Sequence, residues 1–154
     1  MSSIGPSRFS KSFKAAATVS AYRVVTYDTA TATPEAYVRV IQVPTETSHL
    51  LGISQDYADT TAAQFQAVPV ISFGYAKVAA GTSVSAGALL TAVTTTGYVI
   101  EATDRTTTTW LTGTFSTQGA AMLKHVGVAL QKASLSDAVI ECFVNLDQRH
   151  LRIS

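Results

Sequence analysis

Short runs of β-branched and aromatic residues, interrupted by polar residues, dominate the chain. Residues 22–27 read Tyr-Arg-Val-Val-Thr-Tyr, and residues 36–43 read Ala-Tyr-Val-Arg-Val-Ile-Gln-Val. In the second run, polar Arg39 lies between apolar Val38 and Val40, as expected of a strand with one buried face. Similar segments predict further strands at residues 49–53, 65–71, 75–79, 88–92, 98–102, 127–131 and 139–146.

Glycines fall between the predicted strands, where turns need a residue that tolerates positive φ. They are Gly74, Gly81, Gly87 and Gly97. Helical signals are confined to residues 56–65 and 118–125, and neither segment has a sustained 3.6-residue apolar stripe. The pattern therefore predicts an all-β fold, a compact β-clip or barrel-like domain of many short strands.

The first 17 residues differ in composition from the rest of the chain. They are rich in Ser, Gly and Pro, carry Arg8, Lys11 and Lys14, and precede the first acidic residue, Asp28. Such a segment cannot build a core of its own, so we expect a flexible basic arm over residues 1–17 and a single β-domain over 18–154. Phe9 and Phe13 give this arm two apolar anchors, although a tail with two incidental aromatics is the simpler alternative.

Charge is unusually low and nearly balanced. The 154 residues include 11 Lys and Arg against 10 Asp and Glu, a formal net charge of +1, and only 14% are charged, against roughly 25% in ordinary globular proteins. A broad basic face for direct nucleic-acid binding is therefore not expected. No apolar run reaches the roughly 18 residues of a membrane span. A weakly charged surface favours burial against partner proteins, although a Thr-rich exterior of a plain β-domain fits the composition equally well.

Catalytic and metal-binding motifs are missing from the sequence. It contains no G-x-S-x-G, H-E-x-x-H, EF-hand loop or P-loop. His49, His125 and His150 are isolated from partner residues, which indicates strand-edge or surface histidines. The single cysteine, Cys142, lies in an apolar segment and reads as a buried structural thiol. We therefore expect no enzymatic activity, no metal and no cofactor.

Several glycine-containing segments follow one another in an order that carries a resemblance. They read Leu-Gly-Ile-Ser-Gln (51–55), Phe-Gly-Tyr-Ala-Lys-Val-Ala-Ala-Gly (73–81), Val-Ser-Ala-Gly-Ala-Leu-Leu-Thr (84–91), Gly-Tyr-Val-Ile-Glu-Ala (97–102) and Val-Gly-Val-Ala-Leu-Gln-Lys-Ala-Ser-Leu-Ser-Asp-Ala-Val-Ile (126–140). This series resembles the small head-decoration (cement, or capsid-fibre) proteins of tailed bacteriophages. The chain departs from their pattern at Ala88, where Asp is common, at Ser136-Asp137, where Gly-Asp is usual, and in its long segment 103–124.

The resemblance implies a structural virion protein on the outer surface of the capsid head. Its partners would be the phage major capsid protein, whose neighbouring subunits it would cement, and copies of itself, as a homotrimer. A ligand-binding β-clip accessory domain and a tail or baseplate module are the alternatives.

Two regions supply candidate contacts with the capsid or with another subunit. Residues 110–115 predict a short hairpin with Thr112-Gly113 at its turn, and Trp110 is the only tryptophan of the chain. Tryptophan is enriched at interface hot spots, and the flanking Thr106–Thr109 and Gly119 suit an exposed segment. We therefore expect this hairpin to contact a neighbouring subunit, and packing of Trp110 in the core is the alternative. Together with the arm, the candidates are Arg8, Phe9, Lys11, Phe13, Lys14, Trp110 and Phe115.

Overall fold

The computed structural model describes residues 9–28, 39–42, 50–58, 66–93, 96–102 and 125–147. These residues contain nine strands and no helix, which confirms the all-β prediction. The strands are β1 (Phe9–Ala15), β2 (Val24–Tyr27), β3 (Arg39–Gln42), β4 (Leu50–Ser54), β5 (Ala67–Ala79), β6 (Leu89–Ala92), β7 (Val99–Glu101), β8 (His125–Ala129) and β9 (Val139–Asp147). The two predicted helical segments lie mainly outside the described residues; of their described positions, Ala58 bridges to Val19 and His125 begins β8.

The first five strands close into a barrel. They lie in the order β1-β3-β2-β4-β5, and β5 pairs again with β1. The β1–β3 pairing is parallel and the other barrel pairings are antiparallel. The remaining strands extend the sheet from β5 in the order β9-β8-β6-β7, with antiparallel pairing throughout. The fold is thus the barrel-like form of the predicted architecture.

Two hydrophobic cores lie on opposite sides of β4. The barrel core contains Ala15, Val19, Val25, Val40, Leu51, Ala58, Val68 and Val70. The second core lies under the extension and includes Leu50, Ile53, Val78, Leu90, Val126 and Val144. All five residues of β4 are buried because the strand has a core on each face. The uninterrupted apolar pair Leu50-Leu51 reflects this two-sided burial.

Strand β5 is a single strand of 13 residues where the sequence predicted two strands with a turn at Gly74. That turn prediction was wrong, because the pairing of β5 with β9 runs through Gly74 without a break from Phe73 to Ala79. Gly74 is still required, since its φ of +99° disfavours any residue with a Cβ. The predicted turns at Gly87 and Gly97 are confirmed, with φ of +84° and +67°.

The N-terminal segment contributes to the barrel through β1. From Phe9 to Lys14, β1 pairs with β5, and Ala15 is fully buried in the barrel core. Pairing with an existing sheet satisfies the backbone groups of a segment that has no core of its own. The mobility of residues 1–17 in the isolated protein stays a prediction.

A polar cluster joins the two parts of the fold where β2 begins. The Arg23 guanidinium lies 3.5 Å from the centre of the Tyr98 ring, and its Nη2 is 3.7 Å from Oδ1 of Asp137. The Tyr98 hydroxyl donates a hydrogen bond to the same carboxylate. This hydrogen bond, more than burial, raises the pKa of Tyr98. The cluster links the start of β2 to the turn that precedes β9.

Candidate interaction surface

The second half of β5 presents large side chains to solvent and small ones to the core. Phe73 and Tyr75 are each 45% exposed, whereas the intervening Gly74 and the next residue, Ala76, are buried. Strand alternation places the aromatic rings together on one face of the sheet. Exposed aromatic side chains that lie side by side are typical of surfaces that contact another molecule.

Phe143 of β9 packs against both aromatic rings of β5. Its ring centre lies 5.3 Å from that of Phe73 and 5.4 Å from that of Tyr75, with interplanar angles of 80° and 86°. Edge-to-face packing of this kind is favourable beyond the area it buries. The three rings therefore hold one another in place and form a preorganised apolar surface.

The apolar surface continues across the neighbouring strands. Val128 of β8 lies opposite Phe143, and Leu89 of β6, which is 50% exposed, lies opposite Val128. At the other end, Phe9 of β1 lies opposite Phe73 and is 62% exposed. Cross-strand partners share a face of the sheet, so these side chains form one strip across five strands. We call it the outer apolar face: Phe9, Phe73, Tyr75, Leu89, Val128 and Phe143.

Opposite charges lie along one border of the outer apolar face. Lys77 of β5 and Glu141 of β9 are exposed and are cross-strand partners, one residue pair beyond Ala76 and Cys142. On the other border, Asn145 lies opposite Phe73 and is uncharged. These residues therefore make both borders polar and add no net charge to either.

The structure brings one of the predicted contact residues onto this face. Phe9 belongs to it, whereas the ring of Phe13 is half-buried against the barrel core and makes an edge contact with Tyr27 at 6.4 Å. The Lys11 ammonium lies 5.7 Å from the centre of the Phe13 ring, and Lys14 is half-buried. Phe13 thus supports the barrel.

The remaining predicted contact residues lie outside the described residues. They are Arg8, Trp110 and Phe115. The interface roles of all seven candidates therefore stay predictions.

Of the residues on the outer apolar face, those on β5, β9, β8 and β6 were not among the contact residues predicted from the sequence. A signal was present in β5, where Phe73 and Tyr75 alternate with Gly74 and Ala76. This alternation shows that the two faces of the strand differ, but it does not show which of them is buried. The registers that join β5 to β9, β8 and β6 could not be read from the sequence, because each depends on pairing between distant segments.

Of the four residues considered in the sequence as possible catalytic or metal-binding groups, the structure describes Cys142 and His125. Cys142 is fully buried on the inner side of β9, which confirms its predicted burial, and this burial raises the pKa of its thiol to about 12. His125 is half-buried, whereas His49 and His150 lie outside the described residues. Within the described ranges no group of three or more His, Cys, Asp or Glu side chains is arranged to hold a metal ion. Nor does that part of the chain contain a helix long and apolar enough to cross a membrane.

Comparison with known proteins finds similarity to a solved structure with the same fold. No protein-family model matches the sequence, and no curated protein matches it either. Among solved structures, the crystal structure of the head fiber gp8.5 N base of bacteriophage phi29 matches with a TM-score of 0.58 at 15% sequence identity. The match covers 90% of this chain and 95% of that chain.

This chain shares its fold with a phage head-fiber base. The resemblance to phage head-decoration proteins found in the sequence is thereby confirmed at the level of the fold. Because 15% identity establishes the architecture alone, the role of the chain is a separate question.

Proposed function

We propose that this protein is a structural component of a phage virion and binds the outer surface of the capsid head. The observation that carries the proposal is the shared fold with the phi29 head fiber base over 90% of this chain. The order of the glycine-containing segments in the sequence supports it independently. A protein in this role acts through contact surfaces and needs no catalytic group.

The finer part of the proposal is that the protein cements neighbouring major capsid subunits as a homotrimer. A contact of about 800 Å² per partner is the size of a standard specific interface. Apolar surface stabilises such a contact by about 25 cal/mol per Å² before the costs of association are subtracted. Contacts with two subunits at once would therefore resist their separation under internal pressure.

Electron cryomicroscopy of purified particles with and without this protein tests the proposal. We expect additional density on the outside of the head, at positions that bridge capsid subunits, only in particles that carry the protein. Density at the tail or baseplate would contradict the proposed location and favour the tail-module alternative. Density at isolated positions, each touching one capsid subunit, would refute cementing while leaving head attachment intact.

The predicted hairpin at residues 110–115 is tested by Trp110→Ala. If Trp110 contacts a neighbouring subunit, the melting temperature of the isolated protein should stay nearly unchanged while oligomer or particle binding weakens by at least about 2 kcal/mol. A loss of about 3–5 kcal/mol in the stability of the isolated protein would instead show a core residue. Thermal melting and particle occupancy, measured on the same variant, separate the two.

A further inference from the structure

We infer that the outer apolar face is the surface through which one copy of this chain binds another. This inference rests on the proposed function, which includes self-association, and adds the surface through which the copies would associate. It assigns a surface to self-association that the sequence motifs did not indicate. Four features of the face support a second copy as its occupant.

The first feature is area. A fully buried aromatic side chain covers about 150–250 Å², so the partly exposed side chains of the face together offer on the order of 500 Å² of apolar surface. One side of a standard interface buries about 800 Å², of which about 65% is apolar in homodimers. The outer apolar face is therefore large enough to supply the apolar part of one such interface.

The second feature is rigidity. The face is carried by paired strands, and the Phe143 ring packs edge-to-face against both Phe73 and Tyr75. Association therefore immobilises few side chains that were free before, which reduces its entropic cost. Aromatic residues held in this way are typical of interface hot spots.

The third feature is charge. A border of one sign would repel an identical border on a second copy, whereas Lys77 and Glu141 place a cation beside an anion. Two copies can then approach with Lys77 of one near Glu141 of the other. Asn145 at the opposite border adds no charge.

The fourth feature is availability. The largest exposed apolar patch of a typical monomer is about 300–600 Å² and is often functional, so a face of this size is expected to contact another molecule. A second copy is present from synthesis onward and can cover the face at once. A capsid subunit would cover it only after attachment.

Sedimentation velocity of the free protein over about 1–100 μM tests the inference, because self-association depends on concentration by mass action. We expect oligomers in the wild type, and a weakening of at least about 10-fold in the apparent dissociation constant for Phe73→Ser and for Tyr75→Ser. Tyr57→Ser is the matched control, since Tyr57 is 52% exposed and lies outside the outer apolar face. Thermal melting of each variant establishes that the fold is retained. A wild type that stays monomeric across this range, or folded variants that associate as the wild type does, would overturn the inference.

Photo-crosslinking identifies the occupant directly. p-Benzoylphenylalanine in place of Tyr75 should give adducts of twice the chain mass, and the same group in place of Tyr57 should not. On particles, adducts between position 75 and a different protein, without chain-to-chain adducts, would overturn self-association while leaving capsid binding supported. Chain-to-chain adducts from a protein that fails to bind particles would uphold the surface assignment and contradict the proposed function. The two proposals can therefore fail separately.

Discussion

Substitution of Gly127 by alanine is expected to separate two strands of the extension. A Cβ at this position would lie 2.0 Å from the Phe143 carbonyl oxygen and 3.0 Å from the Val144 Cα, both on β9. Ordinary contacts begin at 3.4 Å, so β8 would have to move by about 1.4 Å relative to β9. The obstacle is backbone and cannot be relieved by a side-chain rotation.

The expected loss of stability follows from the hydrogen bonds and core contacts that this displacement breaks. A shift of this size takes the backbone hydrogen bonds on either side of Gly127 out of range, at about 1 kcal/mol each. It also loosens the packing of Val126 and Val144, which are fully buried in the second core. We therefore expect Gly127→Ala to lower the free energy of unfolding by about 3–5 kcal/mol.

Gly87→Ala is the matched control for this prediction. A Cβ at Gly87 would meet nothing within 4 Å, so the only cost there is the φ of +84°, worth about 1–2 kcal/mol. Urea denaturation followed by circular dichroism gives both free energies. If Gly127→Ala is no more destabilising than Gly87→Ala, β8 and β9 do not lie as close together at Gly127 as described above.

Three further predictions test other parts of the fold. Because burial raises the pKa of the Cys142 thiol from 9.0 to about 12, its contribution to stability is complete below pH 9 and is lost as the pH rises toward 12. Above pH 9, the free energy of unfolding of the wild type should fall by up to about 1.4 kcal/mol per pH unit more than that of Cys142→Ala, as measured by denaturation at pH 8–10.5. If the free energies of the two proteins depend on pH in the same way, the thiol is not buried. Arg23→Ala should lower the free energy of unfolding by about 2 kcal/mol. Tyr98→Phe keeps the ring beneath the guanidinium, so it should lower this free energy by about 1 kcal/mol or less. Equal losses in the two variants would show that the stacking of Arg23 on Tyr98 contributes nothing. Deletion of residues 2–17 removes β1, so it should lower the melting temperature of the isolated protein as well as particle occupancy, and unchanged melting would show that β1 does not close the barrel.

The sequence by itself determined the class of the fold and most of its strands. Alternating and β-branched runs marked the positions of β2, β4, β6, β7 and β9 to within a few residues, because a strand's character depends on local periodicity. The glycine turns at Gly87 and Gly97 could also be predicted, since positive φ there restricts the residue type. Low charge and the absence of catalytic motifs in the sequence also predict a protein that acts through contact surfaces.

Only the tertiary structure decided how these strands are combined. Closure of the barrel depends on β1 pairing with β5, between segments more than 50 residues apart, and composition alone indicated no fixed structure for that segment. The outer apolar face likewise requires the registers that align Tyr75, Phe143, Val128 and Leu89 across four strands. A shift of one residue in any pairing would turn such side chains to the opposite face. Long-range register therefore decides whether these apolar residues belong to a core or to a surface, and no local pattern contains that information.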